Sequence, residues 1–161
     1  MLQTEGQLRL DVHGPDQEPA FADYIGAMKE RAATDSRIAV RGPYDQSKIS
    51  EIMAETDVVI VPSTWYENTP FVILEAFEAG VPVIASDLGG MAELIDEGKN
   101  GFTFKAGDPA DLARVLRRCI DNPQMLKSLA PTRPGTIADN YDAFLDACLL
   151  YTSDAADEWL R

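Results

Sequence analysis

Basic residues are scarce in this chain: 14 of its 161 residues are Lys or Arg against 27 Asp or Glu, for a formal net charge of −13. A phosphate backbone needs a basic surface, so this balance argues against nucleic acid as a partner, and equally against a polybasic patch for docking on anionic membranes. Histidine occurs once, at His13, and cysteine twice, at Cys119 and Cys148. Two cysteines are too few for the disulfide framework of a small secreted protein, and no Cys/His cluster suggests zinc. No apolar run approaches the length of a membrane span. The opening Met1-Leu2-Gln3-Thr4-Glu5-Gly6 lacks the basic and apolar stretches of a signal peptide. Repeats and low-complexity segments are absent too, and a cytoplasmic location is the most economical expectation.

The 45% apolar share is that of an ordinary globular protein, and the length suffices for one domain with one good core. Short β-branched or alternating runs recur, separated by helical spacing. Leu8 to Pro15 and Arg37 to Pro43 each read as a strand closed by Gly-Pro. Phe21, Tyr24, Ile25, Met28 and Ala32 fall at helical spacing between them, and Ser47 to Ala54 makes a short helix with Ile49, Ile52 and Met53 inward. Val58 to Val61 and Val81 to Ser86 read as strands buried on both faces. Asp87-Leu88-Gly89-Gly90 turns into a helix over Met91 to Glu97, and a strand covers Gly101 to Phe104. A helix over Asp108 to Asp121 buries Leu112, Val115, Leu116 and Cys119, and a last amphipathic helix runs from Ile137 to about Ala147. Alternation of this kind marks an α/β fold, a Rossmann-like parallel sheet with helices on both faces.

The chemistry concentrates between Val58 and Glu75. An apolar strand stops at Pro62, a polar loop follows, and Asn68-Thr69-Pro70 reads as a helix start with Asn68 as the capping side chain and Pro70 at the first helical position. In an open parallel sheet such a point lies at the carboxyl edge, where ligands bind and a helix N-terminus favours anions. Glu67 in the loop can project into the crevice. Glu75 lies between Phe71-Val72-Ile73-Leu74 and Ala76-Phe77, where an ionised carboxylate needs partners. A diol is a suitable one, because a carboxylate only accepts hydrogen bonds. An Arg, a Lys or solvent would serve Glu75 equally well. The glycines at 89 and 90 fit either a tight turn or the close approach of a ligand.

Glu67 and Glu75 together form an E-x7-E pattern. With the flanking Pro62-Ser63-Thr64-Trp65-Tyr66-Glu67-Asn68-Thr69-Pro70-Phe71 and the later Gly89-Gly90-Met91-Ala92-Glu93, it closely resembles the retaining glycosyltransferases of family 4, from about Gln7 to about Leu126. The resemblance implies the donor-binding half of a GT-B fold, two Rossmann-like domains facing a cleft. It implies that Glu67 contacts hydroxyls of the transferred sugar as the catalytic-site acid, and that Glu75 holds the ribose hydroxyls. Asn68 and Thr69 would present backbone amides to sugar hydroxyls and phosphate, and Pro70, Phe71 and Val72 would belong to the same donor-binding stretch, where the N–H groups at the helix start face the diphosphate. Gly42 would lie in the base-contacting loop, and Gly14, Gly89 and Gly90 would line the crevice. The implied donor is a nucleotide sugar, UDP- or GDP-linked, with no cofactor and no metal. The acceptor, a sugar or lipid-linked glycan, would be bound by an N-terminal domain, through which any association with the inner face of a membrane would also run. The role implied is hexosyl transfer or a related transfer in polysaccharide or glycoconjugate biosynthesis. A non-hydrolysing sugar-nucleotide epimerase and a non-catalytic nucleotide-sugar-binding module are the competing readings.

Both ends depart from the family pattern. The first strand of such a domain, with the Arg and Lys expected just after it, has no counterpart, so residues 1–147 are read as a partial domain. Cys148-Leu149-Leu150-Tyr151-Thr152-Ser153-Asp154-Ala155-Ala156-Asp157-Glu158 resembles a translated sequencing adapter, and residues 148–161 are read as a non-native tail. On these grounds the fragment alone is expected to be inactive.

Overall fold

The computed structural model describes residues 8–15 and 18–131, together with the isolated positions 135, 141 and 145. The expected last helix from Ile137 and the tail from Cys148 lie outside the described residues, apart from those isolated positions. The remainder alternates strand and helix: β1 (Leu10–His13), α1 (Ala22–Ala33), β2 (Ile38–Gly42), α2 (Ile49–Ala54), β3 (Val59–Val61), α3 (Phe71–Glu78), β4 (Val83–Ser86), α4 (Gly89–Leu94), β5 (Gly101–Phe104), α5 (Pro109–Asp121) and α6 (Pro123–Ser128). Every ladder among the described residues is parallel. β1 pairs with β2, and β3, β4 and β5 form a second sheet in that order.

The period of the strands sorts side chains onto two faces. Val59, Val61, Val83 and Ala85 point to one side and pack with Met53, Ile73, Ala76, Phe77 and Met91 from α2, α3 and α4. Ile60, Ile84, Phe102 and Phe104 point to the other, against Val115, Leu116 and Cys119 of α5 and Leu126 of α6. This is the expected sandwich of a parallel sheet between helices. Burial differs from expectation at β3, whose residues are half-buried, whereas β4 is buried along its whole length. β3 and β5 are the two outer strands and β4 the middle one, but β5 is largely buried, so β3 is the exposed edge of this sheet. In α1, Ile25 and Ala32 are buried while Phe21, just before the helix, and Tyr24 are exposed.

Two helix starts fall elsewhere than the sequence suggests. Pro70 is the cap of α3 rather than its first residue, with no side chain capping it. Its own backbone is extended, and its carbonyl accepts the Ile73 N–H at 3.0 Å. A residue before proline is pushed out of the helical region, which leaves Asn68 two positions too early to cap. Helix α4 begins at Gly89 and ends at Leu94, so both glycines belong to its first turn rather than to a turn before it. Asp108 does cap α5, accepting the amides of Ala110 at 3.0 Å and Asp111 at 3.1 Å, with Pro109 at the first position.

Candidate functional site

Within each sheet the strands run parallel, so the loops after them share that sheet's carboxyl edge; Gly14, Glu67, Asn68, Thr69 and Pro70 lie on those loops, Gly42 ends β2, Phe71, Val72, Gly89 and Gly90 open the helices that follow, and Glu75 sits inside α3. At the ends of β1 and β2 the Gly14 N–H donates to the Gly42 carbonyl at 3.1 Å, which brings these two glycines into contact. Beside them the ring of His13 meets Tyr44 edge-on, 5.6 Å between centroids. Beyond Tyr44 the chain is stiffened by Asp45, whose Oδ1 accepts the backbone N–H of Ser47 at 2.9 Å and its hydroxyl at 2.8 Å. Those bonds, the backbone one foremost, hold the Asp45 carboxyl below its usual range.

That stiff loop delivers Gln46 to Glu75. The Gln46 Nε2 donates to Glu75 Oε1 across 29 positions of sequence. Among the described residues the partner of Glu75 is therefore an amide, not an Arg or Lys. The field of Glu75 reaches Tyr44: burial first, and the negative charge of Glu75 second, push the phenol above its ordinary pKa.

Glu67 is held from two directions. Its backbone carbonyl accepts the N–H of Gly90 at 2.9 Å, which fastens the β3–α3 loop to the first turn of α4. The fit is close enough that a Cβ on Gly90 would stand 1.6 Å from the Asn68 carbonyl oxygen. Gly89, at φ 54°, has the left-handed backbone that glycine adopts most easily, and a Cβ there would lie 3.1 Å from the Glu67 carbonyl oxygen and from the Tyr66 ring. The close approach at these glycines is thus made by the acid-bearing loop itself. On its side chain, Glu67 Oε1 accepts the Trp65 indole N–H at 2.5 Å and the Ser63 hydroxyl at 3.2 Å. Asn68, Thr69 and Phe71 are exposed, while Pro70 and Val72 are half-buried, with Val72 packed on the core. The leading amides of α3 have no acceptor within the helix, as at any helix start.

Among the described residues two buried side-chain polar atoms find no partner: Nδ1 of His13 and Oγ of Ser86. They belong to the last residues of β1 and β4, both at carboxyl ends. An orphaned polar atom inside a protein needs an explanation, and an absent ligand or water is one. Sequence spacing singled out neither Ser86 nor Gln46, Tyr44, Trp65 and Ser63. Only the Asp45-Gln46-Ser47 turn pattern offered a local signal. Among the described residues no group of three or more His, Cys, Asp and Glu side chains could hold a metal ion, and no helix is long and apolar enough to cross a membrane.

Parallel strands, helices on both faces and a loop-built rim define the α/β class found in GT-B glycosyltransferases. The structure is similar to HepE of Anabaena in complex with UDP, with a TM-score of 0.70 and 28% identity, covering 79% of this chain and 36% of that one. It resembles the same protein in complex with UDP-glucose at a TM-score of 0.67 and 29% identity, with the same coverage of both chains. Residues 1–122 match the family model described as glycosyl transferases group 1, and the chain belongs to that family. Relatives include a phosphatidyl-myo-inositol mannosyltransferase of Propionibacterium freudenreichii, 32% identical over 73% of this chain and 30% of that protein. A D-inositol 3-phosphate glycosyltransferase of Streptomyces avermitilis is 34% identical over 55% of this chain and 19% of that protein. The chain thus spans less than a third of the length of either relative.

Proposed function

We propose that this chain is the donor-binding part of a retaining glycosyltransferase of family 4, acting on a UDP- or GDP-linked hexose or related sugar. The observation that carries the proposal is the seat of the Glu67 loop on Gly90 at the carboxyl rim, in a chain whose structural neighbour holds UDP-glucose. In this reading Glu67 accepts hydroxyls of the transferred sugar, and Glu75, steadied by Gln46, accepts those of the ribose. The amides at the start of α3 face the diphosphate, whose charge grows as the glycosidic bond breaks, and the helix dipole favours that charge. The loops at Gly14 and Gly42 would border the base. Fixing the sugar so that an acceptor reaches its anomeric carbon is the remaining demand. The acceptor, a sugar or lipid-linked glycan, would be supplied by a facing domain at the cytoplasmic side of a membrane.

The sheet order supports reading the domain as partial. The doubly wound order 3-2-1-4-5-6 with its strand 1 removed leaves a two-stranded and a three-stranded parallel sheet, as here. The missing strand would pair with β1 on one side and β3 on the other. Residues 148–161 stay outside the proposed domain.

The test is transfer from a panel of labelled nucleotide sugars by the full-length protein, with the product anomer read by NMR. A new glycosidic bond of retained configuration supports the proposal. An inverted product overturns the mechanism, an epimerised nucleotide sugar replaces transfer by isomerisation, and binding without turnover leaves a binding module.

A further inference from the structure

Among the described residues, the two donors that reach the Glu67 carboxylate converge on a single oxygen: the Trp65 indole N–H at 2.5 Å and the Ser63 hydroxyl at 3.2 Å both meet Oε1. An ionised carboxylate offers about two acceptor sites on each oxygen. Two donors therefore occupy Oε1 and leave Oε2 for something else. The last torsion of a glutamate is broad and roughly two-fold, so an untethered carboxylate swings between orientations. Two donors on one oxygen, combined with the backbone bond from Gly90 to Glu67 at 2.9 Å, fix both the plane of the group and the position of its loop.

Trp65 is not there to fill the core. It is 67% exposed, so its ring buries little apolar surface, and the specific contact it makes is the one through its indole nitrogen. Ser63 closes the other side from four residues earlier in the same loop. The loop thus carries its own clamp for its own acid.

With Glu67 facing the transferred sugar, as in the proposed function on which this role rests, we propose that Trp65 and Ser63 are positioning residues. They turn Glu67 so that Oε2 receives a hydroxyl of that sugar. Both act through Glu67 and need not touch the donor. Removing the indole N–H should then weaken recognition of the sugar without changing recognition of the nucleotide.

The experiment measures binding of UDP and of UDP-glucose to the full-length protein by calorimetry, with Trp65→Phe, Ser63→Ala, Glu67→Gln and the Trp65→Phe/Glu67→Gln double variant. Phenylalanine keeps an aromatic ring and loses the donor. Trp65→Phe is expected to lower UDP-glucose affinity by about three- to tenfold, the scale of re-ordering one loosened side chain on binding, with UDP affinity and thermal midpoint unchanged. Ser63→Ala should move affinity in the same direction by less, and Trp65→Phe should add nothing in the Glu67→Gln background. In the unliganded chain the Trp65 indole proton resonance should shift when Glu67 becomes Gln. An unmoved resonance, an unchanged UDP-glucose affinity in Trp65→Phe, or an equal loss for both ligands overturns the positioning role and leaves the donor-site reading standing. Failure of the unaltered full-length protein to bind either ligand overturns the donor-site reading and the positioning role with it.

Discussion

Gly90 donates its backbone N–H to the carbonyl of Glu67 at 2.9 Å, joining the first turn of α4 to the loop before α3. The contact depends on the missing side chain of Gly90, since a Cβ there would come within 1.6 Å of the Asn68 carbonyl oxygen. That obstacle is backbone, and no rotamer change relieves it. Gly90→Ala is therefore expected to push the loop off its seat, at an overpacking cost of about 1–3 kcal/mol. Urea denaturation measures the loss, and calorimetry with UDP-glucose should show binding falling well beyond it. An alanine variant with unaltered stability would mean that the loop sits elsewhere in solution.

Glu75, inside α3, and Asp87, just after β4, are both acids, with different employment. Glu75 accepts from Gln46 through Oε1, and a glutamine in its place keeps an oxygen for that bond. Asp87 uses Oδ1 to hold the Ala106 amide at 2.8 Å, a tie within the fold that asparagine also preserves. Only the first substitution removes a charge assigned to the ligand. Glu75→Gln is expected to weaken nucleotide-sugar binding by about tenfold or more, on the scale of a charged hydrogen bond, and Asp87→Asn to leave it within about twofold. Equal affinities for the two variants would remove Glu75 from the ribose site.

The parallel α/β order was legible because β-branched runs closed by Gly-Pro or a single Pro announce strands, as at Arg41-Gly42-Pro43 and Val61-Pro62. The start of α5 was legible for the same local reason, an Asp followed by Pro. Contacts between distant loops were not. Gln46 lies 29 positions from Glu75, and nothing in the spacing of either residue announces the other. The seat of Asn68 on Gly90 is likewise a property of two loops meeting, so the glycines could be read only as turn or ligand approach. β3 is half-buried while β5, at the other side of the same sheet, is largely buried, a difference set by tertiary packing that Val59-Ile60-Val61 does not announce. Pro70 misled for a narrower reason: proline serves at the cap as well as at the first helical position, and the sequence does not separate them.

Asp108 gives a test of the fold that is independent of any ligand. Its Oδ1 accepts two amides of the first turn of α5, and α5 supplies Val115, Leu116 and Cys119 to the core beneath the sheet. Asp108→Ala leaves both amides to solvent and should cost about 1 kcal/mol, the usual value of such a cap. Asp108→Ser should recover most of it. The urea midpoints of the three proteins check this, and an alanine variant as stable as the serine one would discount the cap.

The pH dependence of stability has a local source in the turn between α1 and β2. Asp35 accepts the Arg37 backbone N–H at 3.0 Å and pairs with its guanidinium at 2.6 Å. These bonds, the side-chain one foremost, lower the carboxyl to about 2, against about 3.9 in an unfolded chain. A depressed folded-state pKa means that the unfolded chain takes up the proton first on acidification. The contribution is therefore complete above about pH 4–5 and is lost as pH falls through the folded value. Asp35→Asn keeps an oxygen for the Arg37 amide and removes the charge. The stability difference between the native chain and this variant should accordingly be level near neutrality and shrink between about pH 4 and pH 2. Urea titrations at stepped pH, with NMR following the Asp35 carboxyl, measure both quantities. A difference that widened on acidification would contradict the sign, because it would require the folded chain to bind the proton more tightly than the unfolded one.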